Sequence, residues 1–313
     1  MLTQILEQIW KEAHAWPEYL RAMHALIQSY SPQGEAGERA LSRWASFPGL
    51  CCLAAGGQAE WANELSAAWL VFYGAAYIMD GIEDGDTPGA EWAWLSPGMA
   101  VNAASGLYFS ASLMLNNLQK NPRFRGIADE LIGDFYRGFL AMCSGQHRDL
   151  ANPRPTLEEY WEIGASKSGA FFAIASRLGA RLATEDAERL QGFHDFGVQL
   201  GLLVQILDDI DDLQKAPTLE QWEDLYKTLP VIYALEHAAP QARARLESLL
   251  QAERTSRQAG EELLDLIDAS GAVPFLLTEY ERQRKKADSA LQRARPVPEY
   301  KEKLLAYLPA IHR

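Results

Sequence analysis

The chain has 313 residues, 48% of them hydrophobic and 23% charged, a composition that excludes a disordered protein. Its formal net charge of −13 argues against a nucleic-acid partner, which needs clustered Lys and Arg, so a phosphorylated substrate here must be neutralised by metal ions or a few placed cations. Three cysteines, two of them adjacent (Cys51 and Cys52), make no disulfide framework, and a reducing cytoplasmic setting is expected.

A 3.6-residue apolar period runs through almost every long segment and no alternating strand stands out, so an all-α fold is expected. Met1–Lys11 reads as an amphipathic helix and not as a charged, apolar leader. In chain order the predicted helices cover 2–29, 37–55, 61–84, 99–119, 124–147, 156–180, 185–213, 219–237, 239–268, 272–294 and 298–310. The breaks "YSPQGEAG" (30–37), "DGDTPGAEW" (84–92) and "ANPRP" (151–155) collect turn-forming residues. Thr156 and Glu159 have the spacing of a capping box. Gly, Glu or Asp punctuates each apolar stretch, so no membrane span is predicted and membrane association is not indicated. The helices ending near Asp84 and Asp212 are apolar around most of their circumference, which places them inside. No break reads as a flexible linker. One all-α domain over 1–313, built on two central helices, is the expected architecture. The basic stretch "ERQRKKADSALQRARPVPEYKEKLLAYL" is expected to be a solvated helical face.

Two helix ends carry unusual charge. "VQILDDIDDL" (204–213) crowds Asp208, Asp209, Asp211 and Asp212 onto a short arc, where each like pair costs a few tenths of a kcal/mol. "YIMDGIEDGD" (77–86) sets Asp80 and Asp84 one turn apart with Glu83 between them, and Gly85 is the expected stop. Carboxylates at a helix C-terminus oppose the macrodipole, so two such clusters on interior helices point to a cation. All-oxygen donors without nearby Cys or His suit Mg²⁺ or Mn²⁺, which bind carboxylates together with substrate phosphates. The two patches are expected to face each other and to hold a metal-bridged phosphate or diphosphate above an apolar pocket.

From about residue 40 onward these motifs resemble the trans-isoprenyl diphosphate synthase (polyprenyl synthetase) family. "GLLVQILDDIDDL" is similar to its second aspartate-rich motif, with Asp208, Asp209 and Asp212 at the three metal-ligand positions and Gln205 at the preceding glutamine. "GQHRDL" resembles the Gln-x-x-Asp stretch through Gln146 and Asp149. "SKSGAFF" resembles the motif whose lysine, Lys167 here, contacts the allylic diphosphate, and "DLYKTLPVIYALE" resembles the Lys-Lys-Thr-Leu-Pro segment, with Lys227 as the matching cation. The resemblance implies the all-α isoprenoid synthase bundle, three Mg²⁺ ions (Mn²⁺ as substitute), an allylic isoprenoid diphosphate substrate and a homodimer. Asp80, Asp84, Asp208, Asp209 and Asp212 would then hold the ions, with Lys167 and Lys227 on the diphosphate. A carbocation needs a dry, aromatic pocket, for which Tyr73, Tyr77, Phe171, Phe172 and Phe196 are candidates. Bulky residues just before the first motif shorten the substrate in the family. The small Gly74, Ala75 and Ala76 imply room for fifteen or twenty carbons.

The pattern also breaks. The family's Asp-Asp-x-x-Asp becomes Asp80-Gly81-Ile82-Glu83-Asp84, with Glu83 or Asp86 as candidates to replace the lost aspartate. The arginines that follow it are missing, and the upstream basic motif aligns with "RWASFP" (43–48), leaving Pro48 alone. Tyr73 stands where the family has a histidine. Those basic residues hold isopentenyl diphosphate, and each charge-assisted contact removed costs about 1.5–3 kcal/mol unless Arg39 or Arg43 is recruited. The expectation is an enzyme that ionises an allylic diphosphate and folds the cation on itself, as a terpene synthase does. The alternatives are chain elongation, prenyl transfer to a different acceptor, and a non-catalytic regulatory subunit.

Overall fold

The computed structural model describes residues 2–29, 46–85, 92–218, 222, 224–252 and 256–311. All regular structure among them is helical. The helices are α1 (Leu2–Glu12), α2 (Pro17–Ser29), α3 (46–54), α4 (Asn63–Glu83), α5 (Pro97–Leu115), α6 (Ala128–Ala151), α7 (Leu157–Gly164), α8 (Ala170–Arg181), α9 (Ala187–Lys215), α10 (Leu229–His237), α11 (Pro240–Leu250), α12 (Arg257–Ala269), α13 (Ala272–Ala294) and α14 (Pro298–Leu305).

Three predicted helices are divided, each for a local reason. The 2–29 segment breaks at His14, whose φ is 51°, and restarts at Pro17, a residue suited to a helix's first turn because it has no N–H to leave orphaned. The 239–268 segment breaks after Leu250 and restarts at Ser256, whose hydroxyl accepts from Ala259 N at 3.2 Å. The 219–237 segment becomes a 3₁₀ turn over Asp224–Lys227, an extended Thr228, and α10 with Pro230 in its first turn. Of the predicted helix at 37–55, residues 46–54 are described and helical. Arg39, Arg43 and Asp86 lie outside the described residues.

The chain forms two compact units: residues 1–137, 175–190 and 296–300, and residues 138–174, 191–295 and 301–313. In the first unit α4 and α5 pack along their lengths, and α1 is tied to α5 by Trp10 Nε1 donating to Ser110 Oγ at 2.9 Å. Phe72 anchors an aromatic cluster with Tyr108 and Phe135, its ring centroid 5.5 and 5.2 Å from theirs. Ala59–Glu83 is long and apolar enough to cross a membrane, but half of its apolar window is buried within the fold, as in a core helix.

In the second unit, Trp222, Leu225, Val231, Leu246, Leu263 and Ile267 gather the elements after α9 into one core. The capping box forms: Thr156 Oγ1 accepts from Glu159 N at 3.3 Å, and Glu159 Oε2 accepts from Thr156 N at 2.9 Å. The helix that it starts is not uniform. Ala165–Gly169 winds as a π-helical turn between α7 and α8, around the sequence Ala-Ser-Lys-Ser-Gly.

Candidate functional site

The π turn is held from two sides by close backbone approaches. A Cβ on Gly145 of α6 would lie 2.6 Å from Ser166 C and 2.7 Å from Lys167 N. One on Gly201 of α9 would lie 2.2 Å from Ser168 O. Only glycine leaves α6 and α9 room to press directly on the turn that carries Lys167.

Lys167 Nζ lies 3.3 Å from Asp149 Oδ2, and Lys227 Nζ lies 3.9 Å from the same oxygen. Two ammonium groups therefore converge on one carboxylate, the kind of point charges that a phosphate group takes. Gln146 sits one turn before Asp149 on α6, partly buried.

By spacing alone Asp208, Asp209 and Asp212 are equivalent. The structure separates them. Asp208 and Asp212 are exposed, whereas Asp209 is buried and turned inward. Its Oδ2 accepts from Tyr160 Oη at 2.7 Å and from Leu229 N at 2.8 Å, and its Oδ1 accepts from Gln205 Nε2 at 3.1 Å. Gln205 Oε1 in turn accepts from Ser168 Oγ at 2.9 Å, so the network runs from the π turn through α9 to α7 and α10. Leu229 N is one of the first donors of α10, which has no side-chain cap of its own, and an inward carboxylate both satisfies it and complements the helix dipole.

Electrostatics follow this arrangement. Desolvation, then Asp209, Asp212 and Asp211, push Asp208 up to about 7, although its side chain reaches solvent. Burial raises Asp209 to about 6, held back by its three donors. Lys215 Nζ donates to Asp212 Oδ1 at 3.2 Å. Among the described residues no group of three or more His, Cys, Asp or Glu gathers closely enough to hold a metal ion by itself. The donor set nevertheless fits a hard divalent cation: it is all oxygen, and Asp208 is destabilised as an anion by its neighbours when no cation is present.

In the first unit, α4 ends as anticipated: Asp84 is the C-cap and Gly85 has φ 80°. Asp80 and Asp84 are partly exposed and Glu83 is exposed. A Cβ on Gly81 would meet Trp92 Cζ2 at 3.0 Å, and Trp92 is fully buried. The indole therefore occupies the space that the family's second aspartate would need.

Among the aromatic candidates, Tyr73 packs near Trp69 (6.4 Å between centroids) and Tyr77 is largely exposed. Ala75 is buried and Ala76 partly so. In the second unit Phe171 and Phe172 form an edge-on pair at 5.2 Å, and Phe196 is fully buried. Tyr160, Gly145, Gly201 and Trp92 escaped the motif reading. A signal existed for Asp209, which shares a helical face with Leu202, Gln205 and Ile206, so its partner had to be a buried donor.

Residues 51–267, more than two thirds of the chain, match the polyprenyl synthetase family. The chain belongs to the polyprenyl synthetase family. It is 27% identical over 180 residues to a short chain isoprenyl diphosphate synthase of Methanocaldococcus jannaschii, covering 55% of this chain and 54% of that one. It is 31% identical over 135 residues to the tryptophan prenyltransferase ComQ of Bacillus subtilis subsp. natto, covering 43% and 40%. It is also 28% identical over 202 residues to dolasta-1(15),8-diene synthase of Colletotrichum gloeosporioides, covering 60% and 25%. The matched stretch thus spans about half, or less, of each relative. The fold is that of the geranylgeranyl pyrophosphate synthetase of Geoglobus acetivorans, with a TM-score of 0.78 at 20% identity over 98% of this chain and 97% of that one.

Proposed function

We propose that this polyprenyl synthetase is a Mg²⁺-dependent enzyme that ionises an allylic isoprenoid diphosphate of fifteen or twenty carbons without isopentenyl diphosphate. The observation that carries the reading is the convergence of Lys167 and Lys227 on Asp149, in a chain with no Arg or Lys in the segment 85–92 that follows the first aspartate-rich motif. Asp208 and Asp212 on α9, and Asp80 and Asp84 on α4, are assigned as metal ligands. Bound Mg²⁺ would draw charge from the departing diphosphate. Lys167 and Lys227 orient that diphosphate and neutralise it as the C–O bond breaks and its electron pair leaves with the oxygen. Asp209 is assigned a positioning role, since its oxygens are occupied by Tyr160, Leu229 N and Gln205. Phe171, Tyr73, Tyr77 and Ala76 are assigned to the hydrocarbon. The carbocation closes on itself and loses a proton, a reading favoured by the similarity to a diene synthase. The exposed α5 residues Val101, Phe109 and Leu113, at helical spacing, support a homodimer.

A second reading, transfer of the prenyl cation to an aromatic acceptor, is favoured by the tryptophan prenyltransferase relative. Incubation with Mg²⁺ and farnesyl or geranylgeranyl diphosphate decides. Hydrocarbon from one substrate alone is expected. A prenylated indole formed only with a tryptophan peptide establishes the second reading, and longer diphosphates formed only with isopentenyl diphosphate establish elongation. Asp208→Ala is expected to abolish diphosphate release. Unchanged release in that variant, or none from the wild type, overturns catalysis.

A further inference from the structure

A cavity of about 400 Å³ opens in the second unit, lined by Asp195 and Gln199 of α9 and by Arg282, Lys285, Lys286 and Arg293 of α13, among others. Four cations face one carboxylate there, in a chain whose net charge is −13. Arg293 Nη2 donates to Asp195 Oδ2 at 2.7 Å, and Arg282 pairs with Glu279. Lys285 and Lys286 have no ion-pair partner among the described residues, and both are exposed. Burial, then Arg282, hold Lys286 below the ordinary lysine range, with Glu279 pulling the other way. Cations three and four residues apart on one helix repel, and a multiply charged anion relieves that repulsion at several points at once.

We propose that this cavity is a binding site for a small, multiply charged phosphate anion of the inorganic diphosphate type. Its concave shape suits a small ion better than a flat bilayer surface. The site is separate from the carboxylates at the end of α9. Gln199 precedes Asp208 by about 13 Å along the axis and lies half a turn around it. The choice of diphosphate among oligoanions rests on the proposed reaction, which releases it; the charge of the cavity does not.

The test is calorimetric titration of sodium pyrophosphate into the full chain with EDTA present, which removes metal-dependent binding. One saturable site is expected in the wild type and in Asp208→Ala, weakened at least tenfold in Lys285→Ala/Lys286→Ala, whose fold is checked by circular dichroism. Equal binding of pyrophosphate and geranyl diphosphate upholds a headgroup site; binding of pyrophosphate alone upholds a site for the free ion. Wild-type affinity in the double lysine variant, binding lost only in Lys167→Ala/Lys227→Ala, or uptake only onto anionic phosphatidylglycerol vesicles overturns the inference. Pyrophosphate binding without catalysis sinks only the proposed reaction, and catalysis without this binding sinks only the cavity.

Discussion

At the end of α4, Asp80, Glu83 and Asp84 reach the surface, and the second position of the motif is Gly81, packed against Trp92. At the end of α9, Asp208, Asp211 and Asp212 also reach the surface, but the equivalent second position is Asp209, buried and bonded to three donors. The second position of each motif therefore faces inward on both helices. On α9 it organises a polar network joining α7, α10 and the π turn; on α4 it makes room for an indole. Read in this way, the loss of an aspartate at Gly81 removes an inward residue and leaves Asp80 and Asp84, the outward pair, in place.

The largest expected effect is at the inward carboxylate. Asp209→Ala strands the Tyr160 hydroxyl and Leu229 N, two buried donors, and should lower stability by about 3 kcal/mol in urea denaturation. A neutral result would remove Asp209 from the centre of the network. Next comes the clamp on the π turn. Gly201→Ala drives a Cβ into the Ser168 carbonyl and should cost about 2 kcal/mol, with weaker diphosphate binding because Lys167 moves. Gly98→Ala, where an added Cβ meets nothing within 4 Å, is the control and should change neither.

Restoring the family residue on α4 should do harm. Gly81→Asp pushes a charge against buried Trp92 and should lower the melting temperature by more than Gly81→Ala, for which a shift of a few tenths of an ångström suffices. A Gly81→Asp protein that is more stable, or that binds Mg²⁺ more tightly, would break the comparison between the helix ends.

A further effect is in pH. Without metal, Asp208 sits at about 7 and Asp209 at about 6, both above the ordinary carboxylate value near 4. A carboxyl raised on folding favours the fold while protonated, and that contribution is lost as pH rises from about 4 to about 7. Melting temperatures in EDTA at pH 5.0 and 7.5 should therefore differ more for the wild type than for Asp208→Asn, and Mg²⁺ with diphosphate should narrow the gap. Equal slopes in the two proteins would mean that the α9 carboxylates do not repel as described.

Short-range physics made much of this protein readable from its residues. The 3.6-residue period defined an all-α chain, Thr156 and Glu159 defined a helix start, and Gly85 defined a helix stop, because each depends on neighbours within a turn or two. The spacing of Asp80 and Asp84, and the crowding of Asp208 to Asp212, likewise marked out the candidate ligands. Tertiary structure alone decided which carboxylate turns inward, why Lys167 rides on a π turn, and what fills the space above Gly81. Those outcomes depend on Tyr160, Gly145, Gly201 and Trp92, which approach from other segments, and helical periodicity carries no record of a neighbour that is distant along the chain.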